Sequence, residues 1–528
     1  MTFKYGNLKQ TVSQPIVGRS KEMSKTNGGG FAFTVDDFTK LDRFLNLGAT
    51  TGTFYLSAKA QQYSSFDAVV NCINEDGMRT INRIVEVSSK GLAHKNDHAI
   101  YALALVFKHG SVEVKNAAKD NFCKVVRTGT HLFMFVDFIK KMRGFGKLVR
   151  NAINSWYESK DTKSMAFQVS KYQNREGWSH KDVFRLAHPK FGKTTNKNKI
   201  AKWAMGGLNA LDSKAADEGI KLLQGVELVR KATTEKEVVK LITQYGLQRE
   251  HIPTQFLNKD AVQEAMLPYM GATALIRNLG NMSASGLLSQ FSGASKAVIA
   301  KLEDRDWLKA GRIHPLTILV AQRIYAQGRG MLGSNTWNVN NNILEALESA
   351  FYSSFDLITP TGKNFMYGID VSGSMSSRFN DTPLSYCEVA AVLAMAHVRT
   401  EKYVDVKGFA SNLVDLGITK NDSLKSASDK CKKNNFGSTN PSALIAAAGS
   451  NVDCFIVITD NEVNCGSHVS TQLSNYRKSA ANKNAKMVVC GLAVNNFSIA
   501  DPKDPNMLDI AGFSPDLTTV ITNFVQTA

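Results

Sequence analysis

Asp370, Ser372 and Ser374 stand at alternate positions in Asp370-Val371-Ser372-Gly373-Ser374. The stretch follows an apolar run, Phe365 to Ile369, of the kind that forms a buried strand. A carboxylate and two hydroxyls so spaced, just past a strand end, converge on one point in the loop. Downstream, Thr439 sits in Gly437-Ser438-Thr439-Asn440, and Asp460 ends a second apolar run, Cys454 to Thr459. In a parallel α/β sheet the carboxyl ends of the strands open onto one crevice, which both aspartates then reach. The hard oxygens of Asp370, Ser372, Ser374, Thr439 and Asp460 suit Mg²⁺ or a similar divalent cation, with waters or a partner's carboxylate completing an octahedron. A Ser/Gly turn capping a helix that starts near Leu384 explains the serines, but it needs neither aspartate. A serine nucleophile is disfavoured, since no G-x-S-x-G elbow surrounds either serine and nothing nominates a histidine partner.

The elements around this constellation alternate. Apolar runs predict strands over 364–370, 403–409, 452–459 and 486–492, and helices over 384–400, 440–449, 468–482 and 515–526. That order predicts a doubly wound α/β domain from 358 to 528. The pattern Asp-x-Ser-x-Ser, then Thr, then Asp resembles the metal-ion-dependent adhesion site of a von Willebrand factor A domain.

Composition sets further bounds. The chain has 528 residues, 43% hydrophobic and 21% charged, enough for more than one domain. No apolar run approaches the roughly 18 residues that span a membrane. The start, Met1-Thr-Phe-Lys-Tyr-Gly-Asn7, lacks an apolar leader. The seven cysteines are scattered, odd in number and without C-x-x-C spacing, which predicts free thiols and a cytoplasmic setting. The net charge of +18 is uneven: residues 358–528 carry 15 Lys/Arg against 15 Asp/Glu, so the whole surplus lies in residues 1–357. A surplus confined to one part marks a polyanion binder.

Residues 1–30 are polar, end in Thr26-Asn27-Gly28-Gly29-Gly30, and read as a flexible entry segment. Order is expected from near Phe31, with a helix starting at Thr34-Val-Asp-Asp37 and stopping at Asn46-Leu-Gly48. From there to about residue 355 amphipathic helical segments follow one another, over 66–86, 96–109, 112–126, 130–142, 147–158, 162–173, 180–187, 213–231, 234–245, 292–304, 314–327 and 340–355. Clear strands are missing. Paired helices of this sort predict a HEAT-like α-solenoid.

The richest basic region runs from Arg127 to Lys202. It holds Lys140, Lys141, Arg143, Lys147 and Arg150, then Lys171, Arg175, Lys181, Arg185, His188 and Lys190, then the loop Gly192–Lys199. Lys171 and Arg175 lie four apart, the spacing of one helical face. Cations of this kind hold phosphates, and interleaved aromatics stack on unpaired bases. Trp178 reads as a core aromatic at a helix start, and His180 and His188 as surface or capping residues.

Here a second resemblance covers nearly the whole chain. Leu41-Asp-Arg-Phe-Leu45, Gly52-Thr-Phe-Tyr55, Thr130-His-Leu-Phe133, Ala152-Ile-Asn-Ser-Trp156-Tyr157 and Lys171-Tyr172 through Gly177-Trp-Ser-His-Lys-Asp182 to Arg185-Leu-Ala-His188 are similar to the TROVE module of the Ro ribonucleoprotein family. Glu348-Ser-Ala-Phe-Tyr352, Pro360-Thr-Gly-Lys363, Asp370-Val-Ser372, Thr459-Asp-Asn-Glu462 and Ile499-Ala-Asp-Pro502 resemble that family's closing half.

The resemblance implies a helical-repeat ring over 31–357 and a von Willebrand factor A-like domain that joins its ends. It implies that small structured RNAs (Y RNAs) bind the outer surface, and that single-stranded 3′ ends of misfolded RNAs enter the hole. Lys171, Arg175, Lys181 and His188 would contact RNA, with Lys140, Lys141, Arg143, Lys147 and Arg150 added from charge and neighbourhood. It implies no catalysis, a monomer, no membrane, and an exoribonuclease or another protein as possible partner of the metal site. One departure is Asn440, where the family commonly has Asp. The competing readings are a metal-dependent protein–protein adaptor whose basic module takes another polyanion, and a metal-dependent hydrolase. The second is disfavoured because paired metals need several clustered carboxylates.

Overall fold

The computed structural model describes residues 20–48, 58–206, 217–331, 334–355, 359–434, 437–480 and 482–527. The Gly52-Thr-Phe-Tyr55 motif and the 357/358 boundary lie outside the described residues. The chain forms two compact units. One joins Met1–Ala68 to Phe355–Ala528, and the other is Val69–Ser354.

The first unit begins earlier than expected. Strands β1 (Met23–Lys25) and β2 (Phe31–Thr34) pair antiparallel, so the flexible reading of this part of 1–30 is corrected. The turn between them is held by its own backbone, with Thr26 N donating to Gly30 O at 2.8 Å and Gly29 N donating to Thr26 O at 3.1 Å. The helix Asp37–Leu47 follows, capped by Asp36, whose carboxylate accepts from Thr39 N at 2.7 Å. Gly48, at φ 76°, ends it. Its Arg43 is fully buried, a costly placement offset by an ion pair to Asp509 at 2.8 Å. These residues therefore pack in the carboxyl-terminal unit rather than opening the helical one.

The helical unit starts inside a long helix, Ala58–Lys90, that breaks at Asp76 (φ −146°, ψ 85°). The Asp76 carboxylate accepts from Arg79 N at 2.9 Å, which restarts the helix as an N-cap does. Helices then pack side by side: Asp97–His109 on Gly129–Met142, Thr162–Lys171 on Glu218–Lys231, and Pro315–Ala326 on Asn341–Ser353. The unit's first and last parts meet. Arg312 Nε donates to Ser89 O at 2.9 Å, Thr317 Oγ1 lies 3.2 Å from His94 Nδ1, and the His94 and His314 rings meet edge to face at 5.6 Å. Four further helices, Asn196–Gly206, Asp260–Met266, Ala272–Ala284 and Arg305–Ala310, are not read from the sequence. A strand pair also appears where none is expected: β3 (Asn174–Arg175) and β4 (Trp178–Ser179) form a hairpin.

In the carboxyl-terminal half, β5 (Asn364–Asp370), β6 (Tyr403–Phe409), β7 (Leu413–Asp415), β8 (Cys454–Thr459), β9 (Lys486–Gly491) and β11 (Met507–Ala511) form a sheet of order β11-β9-β8-β5-β6-β7. All pairs are parallel except β6–β7. The short β10 (Phe497–Ser498) pairs instead with β2. Strands β5, β8 and β9 are buried almost throughout, as parallel strands covered on both faces are. The helix Tyr386–Val398, apolar all round, is buried along its whole length. The connection from β5 leads to β6 on one side, and the later strands build from β8 on the other. That switch opens a crevice at the carboxyl ends of β5 and β8.

Candidate functional site

Asp370 is the last residue of β5 and Asp460 the first after β8, so both reach the crevice. Asp370 is fully buried and Asp460 nearly so. Ser372 N donates to Asp370 Oδ1 at 2.9 Å, and Thr459 Oγ1 donates to Asp370 Oδ2 at 2.6 Å. The Ser372 and Ser374 hydroxyl oxygens lie 3.2 Å apart. Ser372 also bonds Asp370, and Ser374 bonds Asp460. Thr439 is buried on the neighbouring loop. That loop meets the serine loop where Gly373 N donates to Gly437 O at 3.2 Å. It meets the Asp460 side where Thr439 N donates to Asn464 Oδ1 at 2.8 Å. The structure thus brings the two aspartates and two serines into mutual contact, and seats Thr439 on a loop tied to both.

Burial, and then the Asp460 charge, push the Asp370 carboxyl above the usual carboxylate range; burial does the same to Asp460. Among the described residues neither carboxylate has a Lys, Arg or His in ion-pair range. Two buried like charges with only hydroxyl and amide partners are what a bound cation would relieve. The donor set is all oxygen and mostly neutral, which fits a hard divalent ion. Among the described residues no group of three or more His, Cys, Asp or Glu gathers to hold a metal. The site therefore lacks the carboxylate cluster of paired-metal hydrolysis. At the departure, Asn440 Oδ1 accepts from Ser442 Oγ at 2.6 Å, and a Cβ on Gly466 would stand 1.9 Å from that same oxygen. Asn440 is thus a loop clamp here. The sequence does not reveal that Thr459 bonds Asp370, nor that Tyr386 stands near Asp460, whose charge, after burial, raises the tyrosine's titration.

The basic residues fall on three joined elements of the helical unit. Lys140, Lys141 and Arg143 close the helix Gly129–Met142, and all are exposed. Lys147 and Arg150 are exposed on the next helix, Lys147–Glu158, and Lys181, Arg185 and His188 are exposed along and just after His180–Ala187. Between them stands the β3–β4 hairpin. Its two turn residues, Glu176 (φ 55°) and Gly177 (φ 74°), are both left-handed, the conformation that matches strand twist in a two-residue hairpin. Ser179 and Asp182 then form a complete capping box that starts the following helix, with Ser179 N donating to Asp182 Oδ2 at 3.0 Å.

This corrects three expectations. Lys171 and Arg175 do not share a helical face: the helix ends at Lys171, and Arg175 projects from β3, exposed. Lys171 itself is only 14% exposed at its side chain. Its ammonium donates to Gln248 Oε1 at 2.6 Å and lies 5.2 Å from the Phe167 ring. His180 is not a surface residue. It is buried against Phe133, Trp156 and Tyr157, with Tyr157 Oη 2.8 Å from its Nδ1, and burial lowers its pKa to about 3. Trp178 is half-buried rather than core, with the Lys140 ammonium 4.8 Å from its ring. His188 takes a left-handed conformation (φ 51°) that ends its helix.

Comparison with known proteins agrees with this architecture. A family model described as the TROVE domain matches residues 24–324, and one described as the Ro60 vWA domain matches 364–525. A protein of Deinococcus radiodurans called RNA-binding protein RO60 is 35% identical over 511 residues, covering 95% of each chain. A protein of the same name from Caenorhabditis elegans is 30% identical over 578 residues, covering 95% of this chain and 90% of its own. The crystal structure of the Deinococcus radiodurans Ro (Rsr) protein superposes with a TM-score of 0.70, at 35% identity, covering 93% of this chain and 99% of the other. A helical module and an α/β domain, matched in order and over almost the full length, establish that the chain belongs to the TROVE-domain Ro60 family.

Proposed function

We propose that the helical unit binds RNA and that the chain is a non-catalytic scaffold of a cytoplasmic ribonucleoprotein particle. The observation that carries this is the exposed cation set of Lys140, Lys141, Arg143, Lys147 and Arg150, the hairpin arginine Arg175, and Lys181 and Arg185, with His188 exposed beside them and Lys140 seated against Trp178. Such a surface binds phosphates with little sequence preference and reads shape. Two relatives named RNA-binding protein RO60 support it. The finer reading is that small structured, Y-like RNAs occupy this surface. Single-stranded 3′ ends of misfolded RNAs enter a hole closed by the helical repeats, which selects aberrant RNA by its free end.

In the other unit, Asp370, Ser372, Ser374, Thr439 and Asp460 would hold Mg²⁺. The cation would supply a coordination position for an acidic side chain of a protein partner, such as an exoribonuclease.

Binding of the full chain to a duplex RNA with and without a single-stranded 3′ tail, titrated with salt, tests the RNA reading. The tailed RNA is expected to bind more tightly, with affinity falling by orders of magnitude between about 50 and 200 mM salt. Tail-dependent binding that survives Arg175→Ala/Lys181→Ala places end capture away from the exposed surface. Absence of RNA binding at near-physiological salt leaves the adaptor reading.

A further inference from the structure

The loop that carries Asp460 is held from the far end of the sequence. Thr26 Oγ1 donates to Val463 O at 2.6 Å across a separation of 437 residues, and Gly30 N donates to the same oxygen at 3.0 Å. Asn27 Nδ2 donates to Glu462 Oε1 at 2.7 Å, and Gly28 N to Glu462 Oε2 at 3.0 Å. Glu462 N in turn donates to Asp460 Oδ1 at 3.0 Å. A second path is independent of the first. Arg43 Nη1 donates to Asn495 O at 2.6 Å, and Asn495 Nδ2 donates to Asp460 O at 2.6 Å. Both paths are anchored in turn: β2 pairs with β10, and Arg43 is ion-paired to Asp509.

We infer that the segment from Thr26 to Arg43 is a working part of the metal centre, with Asn27 and Arg43 as positioning residues that fix Asp460 through Glu462 and Asn495. The inference rests on the metal reading of the crevice. Its physical basis is that a ligand loop not held in place must be ordered when the cation binds, so outer partners of a ligand set affinity. The coupling is reciprocal: a cation that favours the fixed loop must also favour the docked amino-terminal turn.

Mn²⁺ is the probe, because it takes oxygen ligands in octahedral geometry and its binding to the full chain is read directly by electron paramagnetic resonance. Wild type is expected to bind Mn²⁺, and Asp370→Ala to bind none. Asn27→Ala should weaken binding roughly tenfold. Asn27→Asp, which places a carboxylate against Glu462, should weaken it further. A purely structural role would lower the melting temperature yet leave the Mn²⁺ affinity of the folded variants at the wild-type value, and that result overturns the inference while leaving the metal site intact. Hydrogen exchange on the wild type needs no variant. Exchange of the amides of residues 26–34 should slow when Mn²⁺ is added; equal exchange with and without it also overturns the inference. A wild-type chain that binds no Mn²⁺ overturns the metal reading itself, and this proposal with it.

Discussion

Asp370→Asn acts in opposite directions with and without a cation. In chelator at pH 8 the substitution removes one of two buried like charges. The Thr459 and Ser372 hydroxyls can rotate to bond an amide. The expected result is a higher melting temperature, by on the order of 1 kcal/mol or about 2–4 °C. Adding Mg²⁺ should raise the melting temperature of wild type and leave the variant unchanged. The basic residues also separate by burial. Lys171→Ala leaves Gln248 Oε1 without its charged donor and should cost roughly 1.5–3 kcal/mol in urea unfolding. Arg175→Ala, exposed and, among the described residues, bonded to Asn174 O alone, should stay within about 0.5 kcal/mol while weakening RNA binding. Equal destabilisation by both would mean that Lys171 is not held as the structure shows.

At the scale of elements, the β3–β4 hairpin sets where Arg175 and Trp178 stand, and its turn rests on Gly177 at φ 74°. Gly177→Val puts a β-branched side chain where left-handed backbone is strained. It should destabilise by about 1–2 kcal/mol and lower RNA affinity through the backbone rather than by a clash: among the described residues, chain neighbours aside, no atom lies within 4 Å of a Cβ built at Gly177. Ser179→Ala, which removes the capping box of the next helix, should cost about 1 kcal/mol and shift Lys181 with it. The stability is read by denaturant melts and the affinity by filter binding. An unchanged RNA affinity for both would detach the hairpin from the interface.

For the whole molecule, the histidines set the acid limit. In the helical unit His94, His98 and His251 are lowered to about 4, and His131 and His180 to about 3, by burial first in each case. Each binds its proton in the unfolded chain near pH 6.5 and in the folded chain only well below that. The unfolded state therefore holds more protons throughout the interval, and stability falls as pH falls. These histidines are expected to lower the unfolding free energy between about pH 6.5 and 4, against the opposing contribution of Asp370 and Glu462, whose carboxyls burial raises and which take up protons in the folded chain over the same interval. His180→Gln, which keeps a polar partner for Tyr157, should reduce that slope; a slope unchanged by the substitution would assign acid sensitivity elsewhere.

The sequence alone determined the parts of this protein that rest on local patterns. The apolar runs 364–370 and 403–409 coincide with β5 and β6, and the helices at 147–158 and 180–187 keep their predicted bounds. Periodicity and burial act within a few residues, so they are written locally. The alternation Asp370, Ser372, Ser374 is legible for the same reason, since the three residues share one turn. Tertiary structure decided what depends on distant partners. Thr26-Asn27-Gly28-Gly29-Gly30 reads as a flexible polar run until Glu462 and Val463 meet it, because its hydrogen bonds are made across the chain. Lys171 and Arg175 read as one helical face until the helix ends at Lys171, whose ammonium bonds Gln248, and Arg175 passes into β3. His180 reads as a surface residue until Trp156, Tyr157 and Phe133 enclose it. In each case the deciding energy comes from desolvation and pairing with residues that no local window contains.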